Sequence, residues 1–146
     1  MTNNIGQMDL SSLVRDNIDD ILVKIIQFTH TRHSVILDNI KNCQSADFVP
    51  RHIDAEDFAK VISIALSEHQ RTRKLSLCDS RTVSFSAGGQ LSLNPQVDTA
   101  AQRLFKEDFD KYICLQKQRL SENMINNKTA CALLSHKSGS ARMAAR

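Results

Sequence analysis

His30 and His33 stand three residues apart, a spacing that puts both imidazoles on one side of a helix and within reach of a shared metal ion. No third ligand can be named from the spacing, and both histidines continue an apolar stripe, so they read as structural or surface residues. Gly88-Gly89 is the only glycine pair. A phosphate-cradling loop needs a helix start behind it, whereas a strand pattern follows here, and the pair reads as a turn. The serines have no His-Asp context that spacing reveals. The runs Arg71-Thr72-Arg73-Lys74 and Arg142 to Arg146 are basic but short and carry no interleaved aromatics. They read as solvated charge rather than a nucleic-acid surface. Cys43, Cys78, Cys114 and Cys131 are 35, 36 and 17 residues apart, without a Cys-x-x-Cys pair, and read as free thiols. No catalytic constellation, metal site or cofactor site emerges, and the chain reads as a non-enzyme.

The elements that would position these residues are mostly helical. From Leu10 to Ile40 apolar side chains recur, and the subset 18, 22, 25, 29, 33, 36, 40 steps by three or four throughout. Ser11 or Asp9 is placed to cap its start. At ~1.5 Å per residue this helix would be roughly 45 Å long, too long to bury its stripe against so small a core alone. It requires a second long helix or a neighbouring molecule. Pro50 pushes Val49 out of helix. Asp54, with Asp57 three residues on, is an N-cap for a shorter helix whose apolar face is Phe58, Val61, Ile62, Ala65 and Leu66. Thr82–Ser86 and Gln90–Leu93 alternate around Ala87-Gly88-Gly89, a hairpin signal, and Lys74 to Cys78 is a candidate third strand. Asn94-Pro95 opens a last helix with the stripe Ala101, Phe105, Phe109, Tyr112, Ile113, Leu120, Met124, Cys131 and Leu134, Gln116 and Asn127 being its polar members. Ser138-Gly139-Ser140 should end it.

The expected layout is a disordered segment 1–9, a single domain 10–137, and a basic flexible tail 138–146. Within the domain fall a helix 10–42, an extended segment 43–53, a short helix 54–70, a variable β or loop middle 71–93 and a helix 94–137. The expected fold is mainly α, with the two long terminal helices pairing as an antiparallel, coiled-coil-like bundle. Composition agrees: 146 residues suit one domain, and four glycines and two prolines are few for a turn-rich β fold. The balance of 19 basic against 16 acidic residues is too mild to imply nucleic acid. No run approaches the ~20 apolar residues that span a bilayer, and Met1 to Asp9 lacks the pattern of a cleaved signal peptide.

One stretch is more specific. Arg32, Val35, Asn39, Ile40, Asn42, Arg51, Ile53 and Asp54 fall, without a gap, on a pattern of Arg, a short aliphatic run, Asn-Ile-x-Asn, a linker and Arg-x-Ile-Asp. This resembles the N-terminal motif of the flagellar axial rod protein family, in particular its FlgB-type proximal-rod members. Phe48 stands where the family has Tyr, Lys41 where it has Ala, Ser45 where it has Thr, and Ala46-Asp47 where it has Pro-Gly. Asn94-Pro95-Gln96-Val97-Asp98 is similar to the Asn-x-Val-Asp that opens the family's C-terminal helix. The resemblance implies a structural subunit of the bacterial flagellar basal-body proximal rod. It would be exported by the flagellar type III apparatus without a cleaved leader and would reside in the periplasmic rod. Its implied partners are other rod and basal-body proteins, the export apparatus and further copies of itself, with no nucleic acid and no membrane insertion.

The same residues have a reading of their own. Asn39 and Asn42 flank a helix end, where asparagine tolerates left-handed dihedrals and its amide can satisfy orphan carbonyls. The segment beyond should run extended across another surface, with Ile40 and Phe48 buried only in an assembly and Arg51 and Asp54 making directed ionic contacts. With its stripes unpaired, the isolated chain should be poorly folded or weakly self-associating. The alternative function is a cytoplasmic helical adaptor that binds a partner coiled coil.

Overall fold

The computed structural model describes the backbone of residues 2–144 and the side chains of residues 17–137. Eight elements follow in order: α1 (Thr2–Lys41), β1 (Arg51–His52), α2 (Ala55–Thr72), β2 (Val83–Phe85), β3 (Leu91–Leu93), β4 (Gln96–Val97), α3 (Thr99–Glu107) and α4 (Phe109–Ala144). The molecule is mainly helical, with two small antiparallel strand pairs, β1 with β4 and β2 with β3.

Helix α1 opens at Thr2, so the segment 1–9, expected to be disordered, is helical from its second residue. Once a helix is nucleated, each further residue adds a backbone hydrogen bond at little cost. The same reason carries α4 through Ser138-Gly139-Ser140 to Ala144, where a stop and a flexible tail were expected. One glycine costs about 1 kcal/mol in a helix, too little to end one.

α2 follows its sequence signals. Asp54 is extended and its carboxylate accepts the Asp57 N–H at 3.0 Å, while Phe58, Val61, Ile62 and Ala65 are buried. Arg73 ends the helix in the left-handed region at φ 61°, donating its N–H to the His69 carbonyl. The hairpin is also realised, with Val83 opposite Leu93 and Phe85 opposite Leu91. Its turn needs Gly89 at φ +79°, a conformation that side chains rarely adopt. The third strand expected at Lys74–Cys78 does not form, and Leu75 instead packs against the core.

The expected single helix 94–137 is corrected. Gln96–Val97 is a strand, because Asp98 rather than Asn94 caps the helix and the residues before it pair with Arg51–His52. The helix is then interrupted at Asp108, which is extended (φ −153°). Its N–H bonds to the Leu104 carbonyl, closing α3, while its carboxylate accepts the Lys111 N–H at 3.2 Å, opening α4.

α1 is covered from two sides. On one, Ile21 and Phe28 form a core with Ile53, with Phe58, Val61 and Ile62 of α2, and with Val83 of β2. The Phe28 and Phe58 rings stack at 4.2 Å between centroids. On the other side α4 contacts it through partners whose numbers rise as those of α1 fall. Tyr112 donates its hydroxyl to the Asn39 carbonyl at 2.8 Å, Asn123 Nδ2 donates to the Thr29 carbonyl at 2.7 Å, and Lys137 lies 3.6 Å from Asp19. The face α4 turns inward is therefore only in part the one its apolar periodicity indicated, sharing Tyr112, Gln116 and Asn127 with it. Phe109, Met124 and Cys131 are exposed, while Tyr112, Gln116, Asn123 and Ala130 are buried. Polar side chains that find partners on α1 set the phase, since such pairs fix register in a way aliphatic contacts do not.

Candidate functional site

The junction between α1 and α2 begins inside the last turn of α1. Asn39 is buried there, and its amide grips the backbone of Arg51 at two points. Nδ2 donates to the Arg51 carbonyl at 2.7 Å, and Oδ1 accepts the Arg51 N–H at 3.1 Å. The side chain thus takes the role of a neighbouring strand for β1. Its second Nδ2 hydrogen goes to Gln116 Oε1 on α4, at 3.1 Å. Three segments distant in sequence meet at one amide.

Between the two ends of this clamp the chain does not run extended throughout. It turns at residues 42–47, with Ser45 N–H donating to the Asn42 carbonyl and Phe48 N–H to the Ser45 carbonyl. Only Phe48 to Pro50 is extended before β1. Neither asparagine adopts a left-handed backbone; among the described non-glycine residues Arg73 alone does. Asn42 donates to the Asp38 carboxylate at the surface, at 2.6 Å. The orphan carbonyls at the end of α1 are met by other groups, Tyr112 Oη at Asn39 and the Cys43 thiol at Ile40. Burial raises the Tyr112 hydroxyl pKa well above its usual value, which keeps it a donor.

Phe48 is already half-buried within the chain, which corrects its reading as an anchor covered only on assembly. Its ring lies 5.6 Å from Phe105 and 6.5 Å from Tyr112, edge-on to the latter, and Phe109 completes the aromatic group. Ile40 is likewise half-buried in the isolated chain. Beside the aromatics lies the best-sealed ion pair among the described residues, Arg119 Nη1 to Asp98 Oδ2 at 2.6 Å. Asp98 also accepts the Ala101 N–H at 3.0 Å as the α3 cap, and its own N–H reaches the Pro50 carbonyl. Burial acts to raise its pKa, but the Ala101 bond and the Arg119 charge outweigh that and hold the carboxyl below the ordinary range.

The eight residues singled out by sequence divide into three groups. Arg32, Asn39, Arg51, Ile53 and Asp54 line one cavity of about 340 Å³ between α1, the β1 segment and α4. Ile40 and Phe48 belong to the neighbouring packing, and Asn42 lies at the surface. Asp54 caps α2 and is 3.4 Å from Arg81 of its own chain, so its ionic partner is internal. Arg51 has an exposed side chain and no ion pair among the described residues. Sequence reading missed Gln116, Arg119 and Asp98 as parts of this site. Gln116 was visible as a polar member of the α4 stripe, and Asp98 as an N-cap type three residues before Ala101. His30 and His33 gain no third ligand, and no group of three metal-ligating side chains occurs among the described residues. Among these residues, too, no helix is long and apolar enough to cross a membrane.

Comparison with known proteins finds no family model, no curated protein and no solved structure that matches this chain.

Proposed function

We propose that the chain is a structural subunit of the flagellar basal-body proximal rod, of the FlgB type, polymerising with other axial proteins. In this reading the two long helices act as an antiparallel, coiled-coil-like pair that stacks beside its copies, and export proceeds through the flagellar type III apparatus. The observation that carries it is the apolar surface the chain leaves uncovered on its helices. Ile64 and Leu66 on α2, and Met124, Ile125 and Leu133 on α4, are exposed, Ile125 by 64%. A monomer gains nothing from such residues, whereas a packed assembly buries them. The rod-like motif supports the same reading, because Asn39, Arg51 and Asp54 hold the junction as one rigid piece while the Arg51 guanidinium points outward for a neighbour.

Arg51→Glu tests it without touching the clamp, which uses only the Arg51 backbone. In cells depending on this gene, the variant should be made and exported at the normal level but fail to build rods. Ser76→Ala, in the middle segment, should swim as wild type. Normal swimming by Arg51→Glu would remove Arg51 from the subunit contact.

A further inference from the structure

The cavity between α1, β1 and α4 has on its wall two hydrogen-bond donors without a partner among the described residues, the Arg32 guanidinium and Gln116 Nε2. Arg32 carries five N–H groups on a half-buried guanidinium and makes no hydrogen bond or ion pair among the described residues. Burial pulls its pKa below the usual value, Glu122 opposing and Arg119 reinforcing the shift. Gln116, on the facing wall, is completely buried. Its Oε1 is taken by Asn39, and its Nε2 has no partner among the described residues. A buried donor without an acceptor is costly, and native structures usually meet it with water or a ligand.

The acids on the cavity wall do not supply the missing acceptors. Asp54 is committed to the α2 cap and to Arg81, and Glu56 is exposed. Of the charged groups on the lining, Arg119 is paired with Asp98, Asp54 is paired with Arg81, and Arg51 and Glu56 are exposed, which leaves Arg32 as the half-buried cation without an ion pair among the described residues. Donors exclude a metal cation and call for an anion. A volume of about 340 Å³ holds a short carbon chain ending in a planar acid group. We infer that this cavity receives a carboxylate, held between the Arg32 guanidinium and Gln116 Nε2. The fork of an arginine matches a carboxylate bidentately, which sets the preference over a spherical anion. The carboxylate is either a small free acid or an acidic side chain of a second copy, and the inference does not depend on the rod reading.

The test is a nuclear magnetic resonance titration of the full, isotope-labelled chain with sodium glutarate, matched by sodium chloride at equal ionic strength. Glutarate should move the Arg32 Nε–H and Gln116 side-chain amide signals saturably, and chloride should not. Arg32→Met keeps the packing of the stem and should weaken glutarate binding about tenfold or more, since it removes a charge-assisted contact. A second series, raising protein concentration without glutarate, separates the sources. Concentration-dependent shifts of the same signals, reversed by glutarate, assign the carboxylate to a neighbouring copy. Glutarate binding with no concentration dependence assigns it to a free acid. Equal responses to glutarate and chloride, unchanged affinity in Arg32→Met, or no response in either series would overturn the inference.

Discussion

Asn39→Ala should cost more than any other polar substitution at the junction. It removes three hydrogen bonds together: the two to the Arg51 backbone and the one to Gln116. A buried group stripped of its partner costs about 1–3 kcal/mol. Gln116 Oε1 lies in the sealed interior and bears the full penalty, whereas Arg51 is at an exposed position where water reclaims part of its loss. The expected total is about 2–4 kcal/mol, a fall in melting midpoint of about 5–15 °C for a domain of this size. Asn39→Asp distinguishes this cause from loss of packing volume. It preserves shape but turns an oxygen toward the Arg51 carbonyl and Gln116 Oε1, both acceptors. Burial and these acceptors disfavour the charged form, so the folded-state pKa of the new carboxyl lies above its unfolded value of about 3.9. Its penalty is therefore full at neutral pH and shrinks as pH falls through the folded pKa, where the O–H can donate to the Arg51 carbonyl. Urea unfolding followed by circular dichroism, with each variant compared with wild type at about pH 7 and about pH 4.5, measures both effects. A change of less than about 0.5 kcal/mol in Asn39→Ala, or an Asn39→Asp penalty independent of pH, would refute the clamp.

Phe58→Ala should cost about 3–5 kcal/mol in chemical denaturation, since it empties the core where the ring stacks on Phe28. Asp98, whose carboxyl is held below the ordinary range, contributes stability that is present above about pH 4 and lost as pH falls through its folded value. Asp98→Asn should accordingly flatten the acid limb of the stability curve, and an unchanged limb would show that the Arg119 pair is not responsible. Arg73→Gly should raise stability by about 0.5–1 kcal/mol, because it relieves the left-handed strain at φ 61° while losing some unfolded-state restriction.

What could be read from the sequence was what short-range chemistry decides. Asp54 and Asp57 announced α2, and alternation around Gly88-Gly89 announced the hairpin, because the cap and the turn involve only near neighbours. The strand at Gln96–Val97 was hidden, since its partner Arg51–His52 lies far back in the chain and two residues carry no periodicity. Apolar counting found the inner face of α4 only in part. Tyr112, Gln116 and Asn127 lie on the expected stripe, but Asn123 was missed and Phe109, Met124 and Cys131 are exposed, because the partners Asn39 and Thr29 can be known only from the fold. At the site, Asn39, Arg51 and Asp54 were found through the motif, yet the roles of Asn39 and Asp54 proved internal. Arg119 and Asp98 form their pair across a helix boundary that no local pattern marks.

The central claim is most directly tested by deleting the gene in its own host and isolating the flagellar basal bodies that remain. A rod subunit predicts membrane rings without a rod, hook or filament, non-motile cells, and recovery of all four on complementation with the wild-type gene. Complete rods, hooks and filaments in the deletion strain, with normal swimming, would contradict it.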